Sequence, residues 1–456
     1  MNLKEIISSQ HEYFNSHQTF DVDFRLTALK KLEDSIEAHK QELFDAFIQD
    51  LNKTEYDVYL TEISVVMDEL RFLQKNLKKL TKSKGTALSL TNFYARGKIV
   101  PEPYGVCLIV SPWNYPFQLS MVPLIGAISA GNTAVLKLSS SVPNVSAVIK
   151  DILSVFEEKY VVALSGSREE MAGLFDEPFD FAFFTGSAET GKQVLTSVSK
   201  NLTPTVLELG GKSPCIIDYD ADINLAAKKA VWGKFLNAGQ TCVAPDYFLV
   251  HETIKKEFIQ KVIAEIKKHY YLGDVLTQDF VKIVNSKQKA KIERLLDNNK
   301  KVVFGGEFDG DVLCPTVMDE VTDEDPIMQE EIFAPIMPIV SFTTLDQELI
   351  KLRSKPRPLA LYYFSKDRAK QNYVISTALY GGGAINDTVV HVADRNLPFG
   401  GVGQSGMGRY HGKKTFETFS HYKSVLVNNS KIDIGLKYMP YSHRKLKKLK
   451  RFLKQK

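Results

Sequence analysis

The chain has 456 residues, of which 44% are hydrophobic and 25% charged, and these fractions exclude collagen-like, coiled-coil and intrinsically disordered proteins. The net charge is +4, but residues 444–456 hold eight basic residues and no acid, so the rest carries −4, which excludes nucleic acid as the main partner. The four cysteines lack CxxC spacing, which excludes a zinc knuckle, and we expect a reducing, cytoplasmic location.

In chain order, the first predicted elements are helices. Up to about residue 82, apolar residues such as Leu29, Leu32 and Ile36 recur at helical spacing among charged residues. From residue 105 short β-rich runs alternate with helical segments, and a second alternating series begins near residue 214. This alternation is typical of parallel sheets covered by helices.

The pattern therefore predicts an α/β protein with two tandem parallel-sheet domains and a small β element. The first domain, with the N-terminal helices, is placed at residues 1–85 and 99–208, and the second at 209–393. Two distant pieces that break the alternation, 86–98 and 394–430, are expected to form the small element, and 431–456 is a basic tail. No apolar run reaches the roughly 20 residues that span a bilayer, so any membrane contact should be peripheral.

Three residues are candidates for chemistry. Asn114 follows a predicted strand, at the end where parallel sheets place their ligands. Glu208 stands between two leucines, and an apolar setting raises a carboxyl pKa toward the range of a general base. Cys242 lies in a loop of small residues, where a thiol is a candidate nucleophile.

Each of the three also has an ordinary structural interpretation. Asn114 could only shape a turn, and Cys242 could be inert core packing. Glu208 could pair with Lys212. These alternatives weaken when the surrounding motifs are considered together.

Five motifs occur in order along the chain, and Glu208 and Cys242 are separated by 34 positions. They are FTGS at 184–187, LELGGK at 207–212, GQTC at 239–242, EEIFAP at 330–335 and PFGG at 398–401. In these motifs, their order and this spacing, the chain resembles the aldehyde dehydrogenase superfamily over essentially its whole length. Further segments, SPWNYPF at 111–117, GQTCVAPDY at 239–247 and residues 400–421, are similar to its class 3 branch, which acts on fatty and aromatic aldehydes.

The resemblance implies a two-step oxidation of an aldehyde to an acid. Cys242 would attack the aldehyde carbon, and the Asn114 amide with the Cys242 backbone N–H would hold the oxyanion. Glu208 would then activate water to hydrolyse the thioester. Because a free thiol is mostly protonated at pH 7, we expect a helix N-terminus or a nearby cation to lower the pKa of Cys242.

The resemblance also implies NAD or NADP as cofactor, bound by the first, Rossmann-like domain, with the second domain catalytic. The implied cofactor-binding residues are Trp113, Lys137, Gly186, Ser187, Gly191, Glu331 and Phe333. Outside this family, Lys137 could be a strand-end lysine and Glu331 a solvated one.

The sequence departs from the family pattern at two places. Ser140 stands where a carboxylate usually binds the adenosine ribose and repels a 2′-phosphate, so we predict that NADP is tolerated. Ala334 replaces a usual glycine, and it could crowd the backbone beside the nicotinamide site.

An apolar aldehyde, whether aliphatic, aromatic or polyenal, is the predicted substrate. Trp113, Tyr115, Phe117 and Phe235 suggest an apolar approach, with Tyr115 and Phe235 as candidate substrate residues. A semialdehyde dehydrogenase, recognisable by a basic residue at the pocket rim, is one alternative. A catalytically silent binding protein on the same fold is another.

Two partners besides the aldehyde are considered. The class resemblance suggests a homodimer, formed through the small β element. The basic tail places Leu446, Leu449 and Leu453 on one side of a helix, which could bind an anionic membrane peripherally. The alternative is a solvated, partly disordered terminus.

Overall fold

The computed structural model describes residues 3–167, 171, 173–296, 301–429 and 431–453. Lys454 and Lys456 of the basic tail lie outside these residues. The helices are α1 (Leu3–Asn15), α2 (Val22–Ala38), α3 (Lys40–Leu51), α4 (Glu55–Val58), α5 (Ser64–Leu80), α6 (Gln118–Ala130), α7 (Pro143–Leu153), α8 (Ala188–Val198), α9 (Ile223–Phe235), α10 (Lys255–Tyr270), α11 (Ser286–Leu296), α12 (Pro326–Gln329), α13 (Leu345–Ser354), α14 (Arg368–Thr377), α15 (Lys413–Thr418) and α16 (His443–Phe452).

The strands form two large sheets, one three-stranded sheet and two short hairpin pairs. They are β1 (Lys84–Thr86), β2 (Ala95–Pro103), β3 (Val106–Val110), β4 (Thr133–Lys137), β5 (Val161–Leu164), β6 (Phe181–Gly186), β7 (Thr205–Leu209), β8 (Pro214–Ile217), β9 (Tyr247–His251), β10 (Tyr271–Leu272), β11 (Val275–Leu276), β12 (Val302–Phe304), β13 (Phe308–Asp309), β14 (Val312–Leu313), β15 (Thr316–Met318), β16 (Ile336–Phe342), β17 (Ala360–Phe364), β18 (Gly382–Ile385), β19 (Gly406–Met407) and β20 (Ser420–Asn428).

The first large sheet has the strand order β19-β7-β6-β3-β4-β5, parallel except for β19. Alternate residues of β3 enter different cores: Ile109 packs in the core that includes α2, α3 and α5, and Leu108 packs in the core that includes Ile6 of α1. Both faces are therefore covered, which explains why its strands are almost entirely apolar. The parallel arrangement places the carboxyl ends of β3, β4, β6 and β7 at one edge, where the site lies.

The N-terminal helices form a layer over this sheet. Leu29, Leu32 and Ile36 of α2 are fully buried, as their helical spacing predicts. Helices α2 and α5 pack on α6, and α3 packs on α7. Each such aliphatic side chain contributes about 1.5–3 kcal/mol by its burial, so this layer is a substantial part of the core.

The second large sheet has the order β12-β15-β16-β9-β8-β17-β18, and only β12 runs antiparallel. The two parallel sheets confirm the predicted α/β class. None of the helices in the described residues combines the length and the apolar composition that crossing a bilayer requires.

The small β element is the antiparallel sheet β1-β2-β20. Strand β2 continues to Pro103, beyond the boundary predicted at residue 98, because its pairing with β20 extends over all nine residues. Within 394–430, β19 instead pairs with β7 of the first sheet. The domain boundaries as a whole stay a prediction.

Candidate active site

The three candidate residues for chemistry meet in one cavity. Asn114, Glu208 and Cys242 line a space of about 190 Å³, together with Glu331 and Phe333. The loop after β3, the end of β7 and the loop after α9 supply the three. The topology thus assembles residues that lie far apart in the sequence, at the edge expected for a parallel sheet.

A tight turn carries the chain from α9 to Cys242. Asn237, Ala238 and Gly239 all have positive φ angles, of 53°, 52° and 70°. Gly239 is required here, because a Cβ would lie 2.3 Å from the carbonyl oxygen of Ala334. The turn leaves Cys242 half-buried in the cavity wall.

Both the side chain and the backbone of Asn114 form hydrogen bonds. Its Nδ2 donates to the carbonyl oxygen of Gln240 at 3.0 Å. The backbone carbonyl oxygen of Asn114 accepts from Asn237 Nδ2 at 3.0 Å and from Lys53 Nζ at 3.4 Å. Asn114 is therefore tied to the turn that carries Cys242, which fixes an amide donor close to the thiol.

The buried ion pair Lys53–Glu62 is a part of this support that the sequence analysis missed. Lys53 Nζ donates to Glu62 at 3.0 Å and lies 4.2 Å from the Tyr115 ring centroid, and both charged residues are almost fully buried. The other Glu62 oxygen accepts from the Gln118 backbone N–H at 2.8 Å. A sequence signal existed, because Glu62 shares helical spacing with the buried Val66.

Glu208 is buried with both carboxylate oxygens lacking a hydrogen-bond partner. Burial raises its pKa well above the ordinary value, and Arg409 opposes this only in part. The predicted elevation is confirmed. The alternative pairing with Lys212 is wrong, because Lys212 binds Asp246 instead. The Glu208 oxygens are thus free to bind a reacting group.

The thiol of Cys242 does not meet the prediction of a lowered pKa. Burial, with the Glu331 and Glu208 carboxylates, raises the pKa of Cys242 to about 12. Only the backbone N–H groups of Cys242 and Val243 act in the opposite direction. The prediction was wrong because it required a helix N-terminus or a cation near the thiol, whereas the fold brings two carboxylates there.

The structure brings five of the predicted cofactor residues to this cavity. These five residues are Trp113, Gly186, Ser187, Glu331 and Phe333. The Trp113 and Phe333 rings meet edge to face at 5.5 Å. The Glu331 carboxylate accepts from the Gly211 backbone N–H at 3.1 Å, and burial with Asp246 raises its pKa to about 7.

Two predicted cofactor residues lie elsewhere. Lys137 lines another cavity, of about 330 Å³, beside Val110 and Thr190. Gly191 lines neither of these two cavities; it packs against β7, where a Cβ would lie 2.6 Å from Leu209 Cδ2. It therefore acts in helix–sheet packing. Ala334 is fully buried and does not displace Glu331 or Phe333 from the cavity wall.

A second cavity is also lined by Cys242. This apolar tunnel has a volume of about 300 Å³ and shares Cys242 with the first cavity. Leu60 and Val390, 43% and 44% exposed, mark its mouth. Tyr115 lies at the buried end, where its hydroxyl is 2.6 Å from Thr241 Oγ1.

The aldehyde dehydrogenase family model matches residues 1–425. The chain belongs to the aldehyde dehydrogenase family. It is thus an NAD(P)-dependent aldehyde dehydrogenase, and the alternative of a silent binding protein is dropped.

Relatives of this aldehyde dehydrogenase cover nearly its whole length. A 4,4′-diaponeurosporen-aldehyde dehydrogenase of Staphylococcus aureus is 44% identical over 97% of this chain and 97% of its own. Mouse aldehyde dehydrogenase family 3 member A2 is 37% identical over 96% and 92%, and the predicted class 3 resemblance is confirmed. A solved structure of Staphylococcus aureus AldH in a substrate-bound state has a TM-score of 0.96 at 42% identity, covering 99% of this chain and 100% of that one.

The tunnel walls of this aldehyde dehydrogenase were largely missed by the sequence analysis. Phe235, predicted as a substrate residue, is buried against Tyr270 and lines neither the tunnel nor the first cavity. Its neighbours on α9 and in the following turn, Trp232 and Leu236, line the tunnel instead. Helical spacing gave no signal for this choice, because which side of α9 faces the tunnel depends on packing against α10.

Proposed function

We propose that this enzyme oxidises apolar aldehydes to carboxylic acids through a thioester on Cys242. The observation that carries the proposal is the apolar tunnel, which shares Cys242 with the first cavity and is not lined by Glu208 or Glu331. The Staphylococcus aureus relative, whose name gives 4,4′-diaponeurosporen-aldehyde as its substrate, supports the proposal.

The residues around the thiol have distinct roles in the proposed reaction. The Cys242 thiol releases its proton to solvent as its sulfur attacks the aldehyde carbon, and the Asn114 amide and the Cys242 backbone N–H stabilise the resulting oxyanion. One such donor typically contributes about 10²- to 10³-fold. After oxidation to the thioester, Glu208 removes a proton from water as the water attacks, which releases the acid and restores the thiol.

The first cavity fits a dinucleotide cofactor. The Gly210 backbone lies so close to the Glu331 carboxylate that a Cβ there would fall 2.3 Å from Glu331 Oε2. Gly186 and Ser187 lie at the N-terminus of α8, whose partial positive charge favours a phosphate. Glu331 would hold the nicotinamide ribose and Lys137 the adenosine ribose. When bound, NAD or NADP supplies the hydride acceptor for the oxidation.

We expect both NAD and NADP to be used. Ser140 is exposed three residues after Lys137 and carries no charge that would repel a 2′-phosphate. Ser140→Glu should lower kcat/KM for NADP relative to NAD about 10-fold, because the new carboxylate would repel the 2′-phosphate of NADP. Steady-state kinetics with both cofactors measures this, with the exposed Ser83→Glu as control. A wild-type preference for NAD that Ser140→Glu leaves unchanged would contradict the expectation.

The tunnel favours apolar aldehydes over semialdehydes. Among the described residues that line it, none is a lysine or an arginine. His411 is its one histidine in that set, and burial lowers the pKa of His411 to about 4, so it is neutral near pH 7. A substrate carboxylate would therefore lose its hydration without gaining a cationic partner.

A series of aldehydes tests the substrate class. From butanal to decanal we expect kcat/KM to rise up to about fourfold for each methylene buried, since each contributes about 0.8 kcal/mol. A carboxylated aldehyde of equal length should be a poor substrate. Leu60→Arg, at the tunnel mouth, should reverse this order, whereas the matched exposed variant Leu225→Arg should not. A wild-type enzyme that prefers the carboxylated aldehyde would be a semialdehyde dehydrogenase.

We also propose a homodimer in the cytoplasm, built on the small β element. Strand β20 presents Val425, Leu426 and Val427 with 37%, 49% and 44% of their surface exposed. A strand this apolar at the end of a sheet is a typical subunit contact.

A further inference from the structure

Positive charge is concentrated in α16 and the segment before it. Residues 434–453 contain eight Lys, Arg and His residues and no acidic residue. The chain outside residues 444–456 has a net charge of −4. Residues 84–98, which include β1 and the start of β2, hold Lys84, Arg96 and Lys98 and again no acid. Two segments far apart in the sequence are therefore both basic.

Helix α16 is amphipathic and lies exposed. Ser442 caps it by accepting from the Lys445 backbone N–H at 3.3 Å. Leu446, Leu449 and Phe452 share one side at helical spacing and are 48%, 41% and 42% exposed. The basic residues occupy the remaining circumference, and the apolar side is left largely exposed.

The two basic segments meet in space. The Phe93 ring lies 6.4 Å from the Phe452 ring, and Phe93 is 64% exposed. At the other end of the helix, Lys445 Nζ donates to the Tyr438 carbonyl oxygen at 2.7 Å. We call α16 together with Phe93 the tail surface. It combines exposed apolar and aromatic side chains with a surrounding field of cations.

We propose that the tail surface docks on an anionic lipid bilayer. An interfacial helix needs an apolar side that enters the acyl boundary and cations that meet the headgroups, and α16 has both. The exposed aromatic ring of Phe93 adds to the apolar area beside the helix. A symmetric contact between two copies is disfavoured, because it would bring two basic helices together.

Vesicle co-sedimentation with the full-length enzyme tests the proposal. The probes are vesicles of phosphatidylglycerol with phosphatidylcholine and vesicles of phosphatidylcholine alone. One variant replaces Lys447, Lys448, Lys450 and Arg451 by Gln. Its matched control removes the same charge from exposed lysines elsewhere: Lys228, Lys256, Lys287 and Lys366.

We expect the wild-type enzyme to bind the anionic vesicles and to lose binding as salt is raised. The tail variant should bind at least about 100-fold more weakly, whereas the control should bind like the wild type. Equal binding to both kinds of vesicle, or equal loss in both variants, would overturn the proposal.

The apolar side is tested separately. Leu446→Ser with Leu449→Ser should weaken vesicle binding about 10-fold or more, and the exposed pair Leu225→Ser with Leu379→Ser should not. Sedimentation velocity of the same proteins without vesicles distinguishes a second copy as the occupant. A fall in mass of the tail variants, with unchanged vesicle binding, would assign the surface to a second copy and overturn the lipid proposal.

Discussion

Replacing Cys242 by Ala should abolish oxidation of every aldehyde tested. We expect kcat/KM to fall by at least about 10⁴-fold, because Cys242 is the one thiol among the described residues that line the cavity. Nicotinamide reduction at 340 nm with decanal and benzaldehyde, using NAD or NADP, measures the loss. Residual turnover within about tenfold of the wild type would contradict the thioester mechanism.

Cys314→Ala is the matched control. Cys314 is also a half-buried free thiol, but it lines neither the first cavity nor the tunnel. This variant should keep the wild-type rate. In the protein without cofactor, alkylation of Cys242 by iodoacetamide should be slow at pH 7 and accelerate with rising pH, since the raised pKa makes the thiolate available only at alkaline pH.

Glu208→Gln should separate the two halves of the reaction. The variant should still form the thioester but hydrolyse it about 10²- to 10⁴-fold more slowly, because water loses its general base. We expect one equivalent of reduced nicotinamide per active site, followed by a slow steady rate. Rapid-mixing kinetics shows the burst, and mass spectrometry shows the acyl group on Cys242.

The pH dependence gives an independent check on Glu208. Burial raises its pKa, so the ionised form that acts as the base is gained only as pH rises through the elevated pKa. Hydrolysis of the thioester by the wild type should therefore accelerate with pH, and this acceleration should be absent in Glu208→Gln. Glu69→Gln removes another buried carboxylate outside both cavities and should show no burst. A burst in Glu69→Gln as large as that in Glu208→Gln would contradict the role of Glu208 as the general base.

The sequence predicted the position of the Cys242 thiol but not the direction in which its pKa is shifted. The motif GQTC identifies the thiol and predicts a small-residue loop, which the turn through Gly239 matches. The direction of the thiol pKa depends instead on Glu208 and Glu331, which only the folded chain brings near. Electrostatic interaction acts through space, so it cannot be inferred from the residues adjacent in the chain.

The sequence by itself determined the two parallel sheets and selected Asn114, Glu208 and Cys242 as candidates, because apolar alternation and local motifs are short-range properties of the chain. Only the tertiary structure decided which residues wall the tunnel, so that Trp232 lines it and Phe235 does not. It also decided that Lys53 supports the Asn114 loop. Both depend on long-range packing, which selects the buried side of each helix and the partner of each buried charge.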